Sequence, residues 1–476
     1  MAKDMEQLYQ ERFSRYTTAM RNETPDMVPI RPFVAEFVAT YGGYDCQQVT
    51  HDYQQAFDAT CECAAAFDWD AVVPNMVYVW TGLTQAIGLK YYGIPGIDVE
   101  PEFAFQYREP AEEEAFMKPD EYDRLIEDPT AFLYEVWLPR VSTEISAEGE
   151  PASLRNNLAL VKGGMAMMQY LSSFGPQSER LKNEAGAPGA IAGILKSPFD
   201  IIADKMRGYI GLTMDMMERP EKVLAAAKAL APHLAKVALM SSGGEDRVPV
   251  GFWMHRGCVP FVKQEWFDSH YWPTLKPVIE ELWAHGHQTL FYAEGDWDAH
   301  LETFRELPDQ SIVYHVDRGD VFKAQEVLGD KFCISGGIPN HLLSFGTPEK
   351  VRQRVKEVIE GVAGDGGYIL DASAIVQNDA KVENMQALTD AGREFGRYAD
   401  GSPATEIQPP EPDPDFEGPG LIESSQTRSK PGVCRPWEQK KKEIGEIPGD
   451  EDLCQQVWED VESLAYMYIW QCLVSF

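Results

Sequence analysis

Val248-Pro-Val-Gly-Phe-Trp-Met254 opens the stretch that decides the fold, and Tyr368-Ile-Leu370 closes it; between them lie Gln288-Thr-Leu-Phe-Tyr292, Ser311-Ile-Val-Tyr-His315 and Phe332-Cys-Ile-Ser335. Each is a short apolar run rich in β-branched and aromatic residues, the pattern of a buried strand. The intervals read as helices. After the first run, Leu275, Val278, Ile279, Leu282 and Trp283 recur at helical spacing, and His285-Gly286 ends the stretch. Asp298 to Arg305 and Val321 to Leu328 fill the next two intervals. Thr347 then caps a helix opened by Pro348, with Val351, Val355, Val358, Ile359 and Val362 on one face. Strands alternating with amphipathic helices predict repeated βα units and a parallel sheet.

Working outward, Met27-Val-Pro-Ile30 and Ala71-Val-Val-Pro-Asn75 are further strand candidates, preceded by helical stretches over Met5 to Met20 and Tyr53 to Ala66. A βα series this long with no glycine-rich phosphate turn favours an α/β fold of the closed (β/α)8 TIM type over an open doubly wound sheet. Residues 1–398 are assigned to that barrel and its N-terminal helices. Pro409-Pro410-Glu411-Pro412-Asp413-Pro414 and Gly418-Pro419-Gly420 mark residues 399–450 as an extended acidic linker. Residues 451–476 read as a C-terminal helix. Leu453, Val457, Val461, Leu464 and Tyr468 form the face expected to dock on the barrel or on another subunit.

The 476 residues carry 42 basic and 76 acidic side chains, a net charge of -34. Such a chain repels phosphate backbones and anionic headgroups, which argues against nucleic acid and membrane surfaces as partners. Met1 to Phe13 has no apolar signal core, and the apolar run near the C-terminus, broken by Gln471, falls short of the roughly 20 residues that a span needs. The expectation is a cytoplasmic protein. The 8 cysteines form no C-x-x-C pair; Cys61 and Cys63, two apart on a predicted helix, point to different faces, so buried thiols rather than a metal site are expected.

In such a barrel the reacting side chains stand just past the C-terminal ends of strands. That rule selects His255 and Arg256, Glu294 and Asp296, His315 and Asp317, Asn340 and His341, and Asp371 with Ser373. Around them run Thr24-Pro-Asp-Met-Val-Pro29, Ser197-Pro-Phe-Asp200, Met206-Arg-Gly208, Arg219-Pro-Glu221, Gly295-Asp296, Ser335-Gly-Gly-Ile-Pro339, Gly346-Thr-Pro-Glu349 and Glu383-Asn384. In order and spacing, over about residues 5 to 398, these motifs resemble the uroporphyrinogen decarboxylase-like superfamily, and within it the corrinoid-dependent methyltransferases.

The resemblance implies an enzyme that moves a methyl group from a small methylated donor, for example a methoxylated aromatic, to the cobalt of a separate corrinoid protein. It also implies a homodimer. The decarboxylase grips its substrate's carboxylates with an Arg-Gln-Ala-Gly-Arg segment; Arg31-Pro-Phe-Val-Ala-Glu36 stands here instead. Thiol-acting methyltransferases hold zinc with His-x-Cys and a later cysteine. The corresponding places here, Tyr292-Ala-Glu294 and Asp371 to Ala374, have none of these. Glu294, His315 and Asp371 then become the candidate zinc ligands, with the metal acting as Lewis acid on the leaving group. His255, Glu294 and His315 are the candidate catalytic residues, and Asn75, Tyr78, Arg256, Tyr292 and Asp317 the candidate substrate contacts. No Asp-x-His-x-x-Gly motif is present, so cobalamin is expected on the partner. Two other readings stay open: a metal-free lyase acting on a carboxylated substrate through Arg31, His255 and Arg256, and a non-catalytic subunit docking on a methyltransferase or corrinoid protein through its acidic tail.

Overall fold

The computed structural model describes residues 4–73, 81–242, 248–399, 401 and 406–474. Among the described residues its main sheet has six strands, β1 (Ile194–Lys196), β2 (Val250–Met254), β3 (Thr289–Ala293), β4 (Ile312–Val316), β5 (Cys333–Gly336) and β6 (Tyr368–Ile369), paired in parallel and in chain order. Two extended segments join its edges. Arg31 N–H donates to the Leu370 carbonyl (3.0 Å) and Leu370 N–H to that of Pro29 (2.9 Å). Asp70 N–H donates to Ile30 (2.8 Å), and Ala190 N–H, in the stretch leading into β1, to Val72 (2.8 Å). The segments around Ile30 and Val72 are thus the remaining two staves of a closed (β/α)8 barrel. Both were legible as strands; Pro29 and Pro32 remove donors from the first and keep its ladder short. The stave at Ile194–Lys196 was missed, because it is only 3 residues long and follows an Ala/Gly-rich run that reads as loop.

Alternation sorts the side chains. Leu290, Tyr292, Val313, Cys333 and Ile369 join Phe33 and Trp253 inside the barrel, whereas Phe291, Ala293, Ile312, Tyr314 and Tyr368 pack under the outer helices. Helix α1 (Met5–Met20) adds Phe13, Tyr16, Ala19 and Met20 to the inner cluster. The Tyr16 hydroxyl donates to the Ala190 carbonyl (3.0 Å), and Gln288 Nε2 to that of Met20 (3.0 Å). The N-terminal end of the barrel is therefore closed by α1.

Among the outer helices are α2 (Leu154–Ser172), α3 (Pro220–Ser241) and α4 (Pro348–Val362). Helix α3 is long and apolar enough to cross a membrane, but most of its apolar stretch is buried inside the protein. The expected linker differs from expectation. It is irregular at first, yet Ser425, Thr427 and Ser429 are buried, Ser429 Oγ donates to Asp128 (2.8 Å) and Leu421 N–H to Glu281 (2.9 Å), and a helix spans Trp437–Ile444. Carboxylates on the barrel satisfy this segment's polar groups, which composition alone cannot show. The last helix, α5 (Glu451–Val474), docks by its C-terminal half through Tyr466, Ile469, Trp470, Cys472, Leu473 and Val474. Leu453, Val457, Val461 and Leu464, four of the five residues of the stripe read from the sequence, stay 56–65% exposed, while the fifth, Tyr468, packs against the core.

Candidate functional site

At the open mouth a cavity of about 610 Å³ lies over the ends of β3 to β6, lined among others by Tyr292, Glu294, Asp317, Arg318, Asn340, His341, Arg354 and Ser373. The strand-end rule had selected Glu294, Asp317, Asn340, His341 and Ser373. Arg318, which follows Asp317 directly, was legible by the same rule; Arg354 projects from α4 and carried no such signal. Gly336, with φ +91°, lets β5 close on β4, since a Cβ there would stand 2.4 Å from the Val316 carbonyl oxygen.

The ladder pairs Tyr292 with His315 and Ala293 with Val316, so Glu294 falls opposite Asp317. Asp317 Oδ2 accepts from Gly295 N–H at 2.8 Å. Burial, reinforced by the negative charge of Glu294, pushes the Asp317 carboxyl up to about 6, against the pull of that N–H and of Arg318. A carboxyl so placed can hold and release a proton near neutral pH.

Beneath the cavity the rings of Trp253, Tyr292 and His315 stack in series, at 4.2 Å and 4.4 Å between centroids, with Phe33 edge-on to the first two. His315 is fully buried. Its Nε2 faces the Ser373 carbonyl (3.0 Å) and therefore carries the proton, leaving Nδ1 to accept from Ser335 Oγ (2.9 Å). Arg31 Nη2 lies 3.1 Å from both Ser335 Oγ and Asp371 Oδ2, and Phe33 N–H donates to Asp371 Oδ1 (2.9 Å). Burial, then the charge of Arg31, pushes His315 down to about 3, so it is neutral. Burial pushes Asp371 up to about 7 against the pull of Arg31 and backbone donors.

This geometry corrects the expected zinc set. Glu294 faces the cavity, while His315 and Asp371 belong to the network below Tyr292, and both His315 ring nitrogens are engaged. Among the described residues no three His, Cys, Asp or Glu side chains gather as a metal site. The residues present do not fit zinc as the sequence suggested, because the parallel register sets His315 level with Tyr292 rather than Glu294.

His255 and Arg256 also lie apart from the cavity. Past the end of β2, His255 Nε2 (2.8 Å) and Arg256 Nε (2.8 Å) bind Asp204, which Lys196 also contacts (2.7 Å). Burial works against the charge, yet His255, Lys196 and Arg256 hold the Asp204 carboxyl well below its ordinary value. Arg256 N–H (2.6 Å) and the Tyr271 hydroxyl (2.7 Å) donate to Asp200, so the Ser197-Pro-Phe-Asp200 motif ties β1 to β2. Asn75 and Tyr78 lie outside the described residues.

The class defined by these features is a (β/α)8 barrel with a polar cleft at its C-terminal strand ends. Residues 167–395 match the family model described as Uroporphyrinogen decarboxylase (URO-D). Uroporphyrinogen decarboxylases of Ruthia magnifica subsp. Calyptogena magnifica and Vesicomyosocius okutanii subsp. Calyptogena okutanii (strain HA) are 30% identical over 74 and 78 residues, 16% of this chain in each case. The chain matches only 21% and 22% of the length of those relatives. A methyltransferase from Methanosarcina mazei shares the fold, with a TM-score of 0.53 at 15% identity over 80% of this chain and 98% of that one. Residues 167–395 thus carry the likeness to uroporphyrinogen decarboxylase.

Proposed function

We propose that this chain is a methyltransferase that takes a methyl group from a small methylated donor in the mouth cavity and passes it to the cobalt of a corrinoid carried by a separate protein. The fold it shares with the Methanosarcina mazei methyltransferase supports this branch, as does Arg31-Pro-Phe-Val-Ala-Glu36 where the decarboxylase has its arginine-rich segment. The observation that carries the mechanism is the Glu294–Asp317 pair. Breaking the donor's bond to its methyl group leaves a heteroatom that must gain a proton, and the reduced corrinoid supplies the nucleophile. Asp317, at about 6, retains the proton on roughly a tenth of molecules at pH 7 and can deliver it. Burial holds the carboxyl there, with the charge of Glu294 adding to it. Tyr292, clamped between Trp253 and His315, gives the donor a rigid floor.

The lyase reading is less favoured, since Arg31 lies in the buried network and His255 and Arg256 in the Asp204 cluster, and none of the three lines the mouth cavity. The test mixes full-length protein with free cob(I)alamin and a panel of methylated donors and follows the absorbance change on cobalt methylation. Methylation by the wild type that drops about 10²–10⁴-fold in Asp317→Asn supports the proposal. No methylation across the panel removes it; carbon dioxide release from a carboxylated substrate would point to the lyase, and stable capture of a corrinoid protein without turnover to the binding subunit.

A further inference from the structure

We infer that the donor is an anion: a small methylated carboxylic acid whose carboxylate is held by Arg318 and Arg354 while its methyl-bearing atom lies toward Asp317. The inference rests on the methyltransferase reading for the donor's role, but the carboxylate site stands on separate observations. In a chain of net charge -34, arginines find carboxylates readily. Among the described residues every arginine is within ion-pair distance of an Asp or Glu except Arg318, Arg354 and Arg397. Two of these three line the mouth cavity.

Arg354 is also held in place. Its Nε donates to the Gly337 carbonyl (3.0 Å) and its guanidinium carbon lies 5.4 Å from the centre of the Phe322 ring. Its two Nη groups make no hydrogen bond among the described residues and remain available as a fork, the geometry that meets a carboxylate through two parallel bonds. Arg318 is anchored through its backbone N–H, which donates to Gly295 (3.1 Å), and its side chain is exposed. Glu294 and Asp317 repel a carboxylate from their part of the cavity, so charge alone orients an anionic donor with its carboxylate at the arginines. The arrangement differs from the decarboxylase's arginine segment, whose counterpart here, Arg31, is fully buried and paired with Asp371.

The experiment is equilibrium calorimetry on the full chain with methoxyacetate, 4-methoxybenzoate, the uncharged 4-methoxybenzyl alcohol and inorganic phosphate. At least one carboxylate is expected to bind roughly tenfold or more tighter than the alcohol, with that preference lost in Arg354→Gln and Arg318→Gln and not restored by Arg354→Lys. Melting temperatures of the variants, unchanged from wild type, show that they fold. Equal affinity for acid and alcohol, carboxylate binding indifferent to both substitutions, tighter binding of phosphate than of either acid, or binding of none of them would overturn the inference. Binding needs no turnover, so arginine-dependent binding without methyl transfer would sink the methyltransferase reading and leave the anion site intact.

Discussion

Asp317 and Glu294 show how a charge placed by register becomes a chemical property. If Asp317 must hold a proton to release the donor, methyl transfer falls as pH rises through about 6, the range to which burial and Glu294 push its carboxyl. Glu294→Gln removes the negative charge that helps to raise it, so the falling limb is expected at lower pH than in the wild type. Rates measured from about pH 5 to 8 would check this; a limb that does not move in Glu294→Gln would separate the two carboxylates. The strand-end rule found both residues from sequence but joined Glu294 to His315, because the pairing level of adjacent strands is set by tertiary packing. Several motifs that carry the family resemblance hold the scaffold rather than line the cavity. Asn384 Nδ2 donates to the carbonyls of Leu342 (3.1 Å), Leu343 (2.9 Å) and Gly346 (3.2 Å), and Asp215 receives Arg207 (2.5 Å) and the Tyr122 hydroxyl (2.8 Å).

One histidine of α3, His233, meets α5 through both its ring face and its ring nitrogen. The His233 ring stacks on Trp470 at 4.9 Å, its Nδ1 meets the Tyr466 hydroxyl (3.0 Å) and its Nε2 meets Thr427 Oγ1 (3.1 Å). Burial holds His233 down to about 3, whereas in the unfolded chain it takes a proton near 6.5. The unfolded state therefore binds more protons between these values, and His233's share of stability declines as pH falls through that window, by at most about 1.4 kcal/mol per unit. Replacing it by His233→Gln, which hydrogen-bonds without titrating, should flatten the acid-side loss of protection of α5 in hydrogen exchange. The same steepness in both proteins would assign the acid response elsewhere. The sequence located this helix and one apolar stripe along it, expected to meet the barrel or another subunit. Helical spacing reveals an apolar stripe and not which stripe meets a partner, and here the terminal Tyr466, Ile469 and Trp470 bury while Leu453 and Val457 do not.

For the molecule as a whole, the segment after the barrel is part of the folded unit. Tyr466, Ile469, Trp470, Leu473 and Val474 are buried in the main apolar cluster, and at roughly 1.5–3 kcal/mol each their loss is comparable to the 5–15 kcal/mol stability of a typical domain. A chain ending at residue 450 is accordingly expected to lose cooperative unfolding in denaturant titration; a full-amplitude transition near the wild-type midpoint would show that the barrel stands alone. By itself, the sequence determined the alternation of strands and helices, the barrel and the strand ends that bear the cavity, because hydrophobic period and strand-end position are local properties of the chain. Tertiary structure decided which strand-end residues share a cavity, why His315 and Asp371 sit beneath it, and how Arg354 enters from a helix. Those depend on register, ring closure and helix docking, which bring together residues far apart in sequence and leave no mark in any one segment of it.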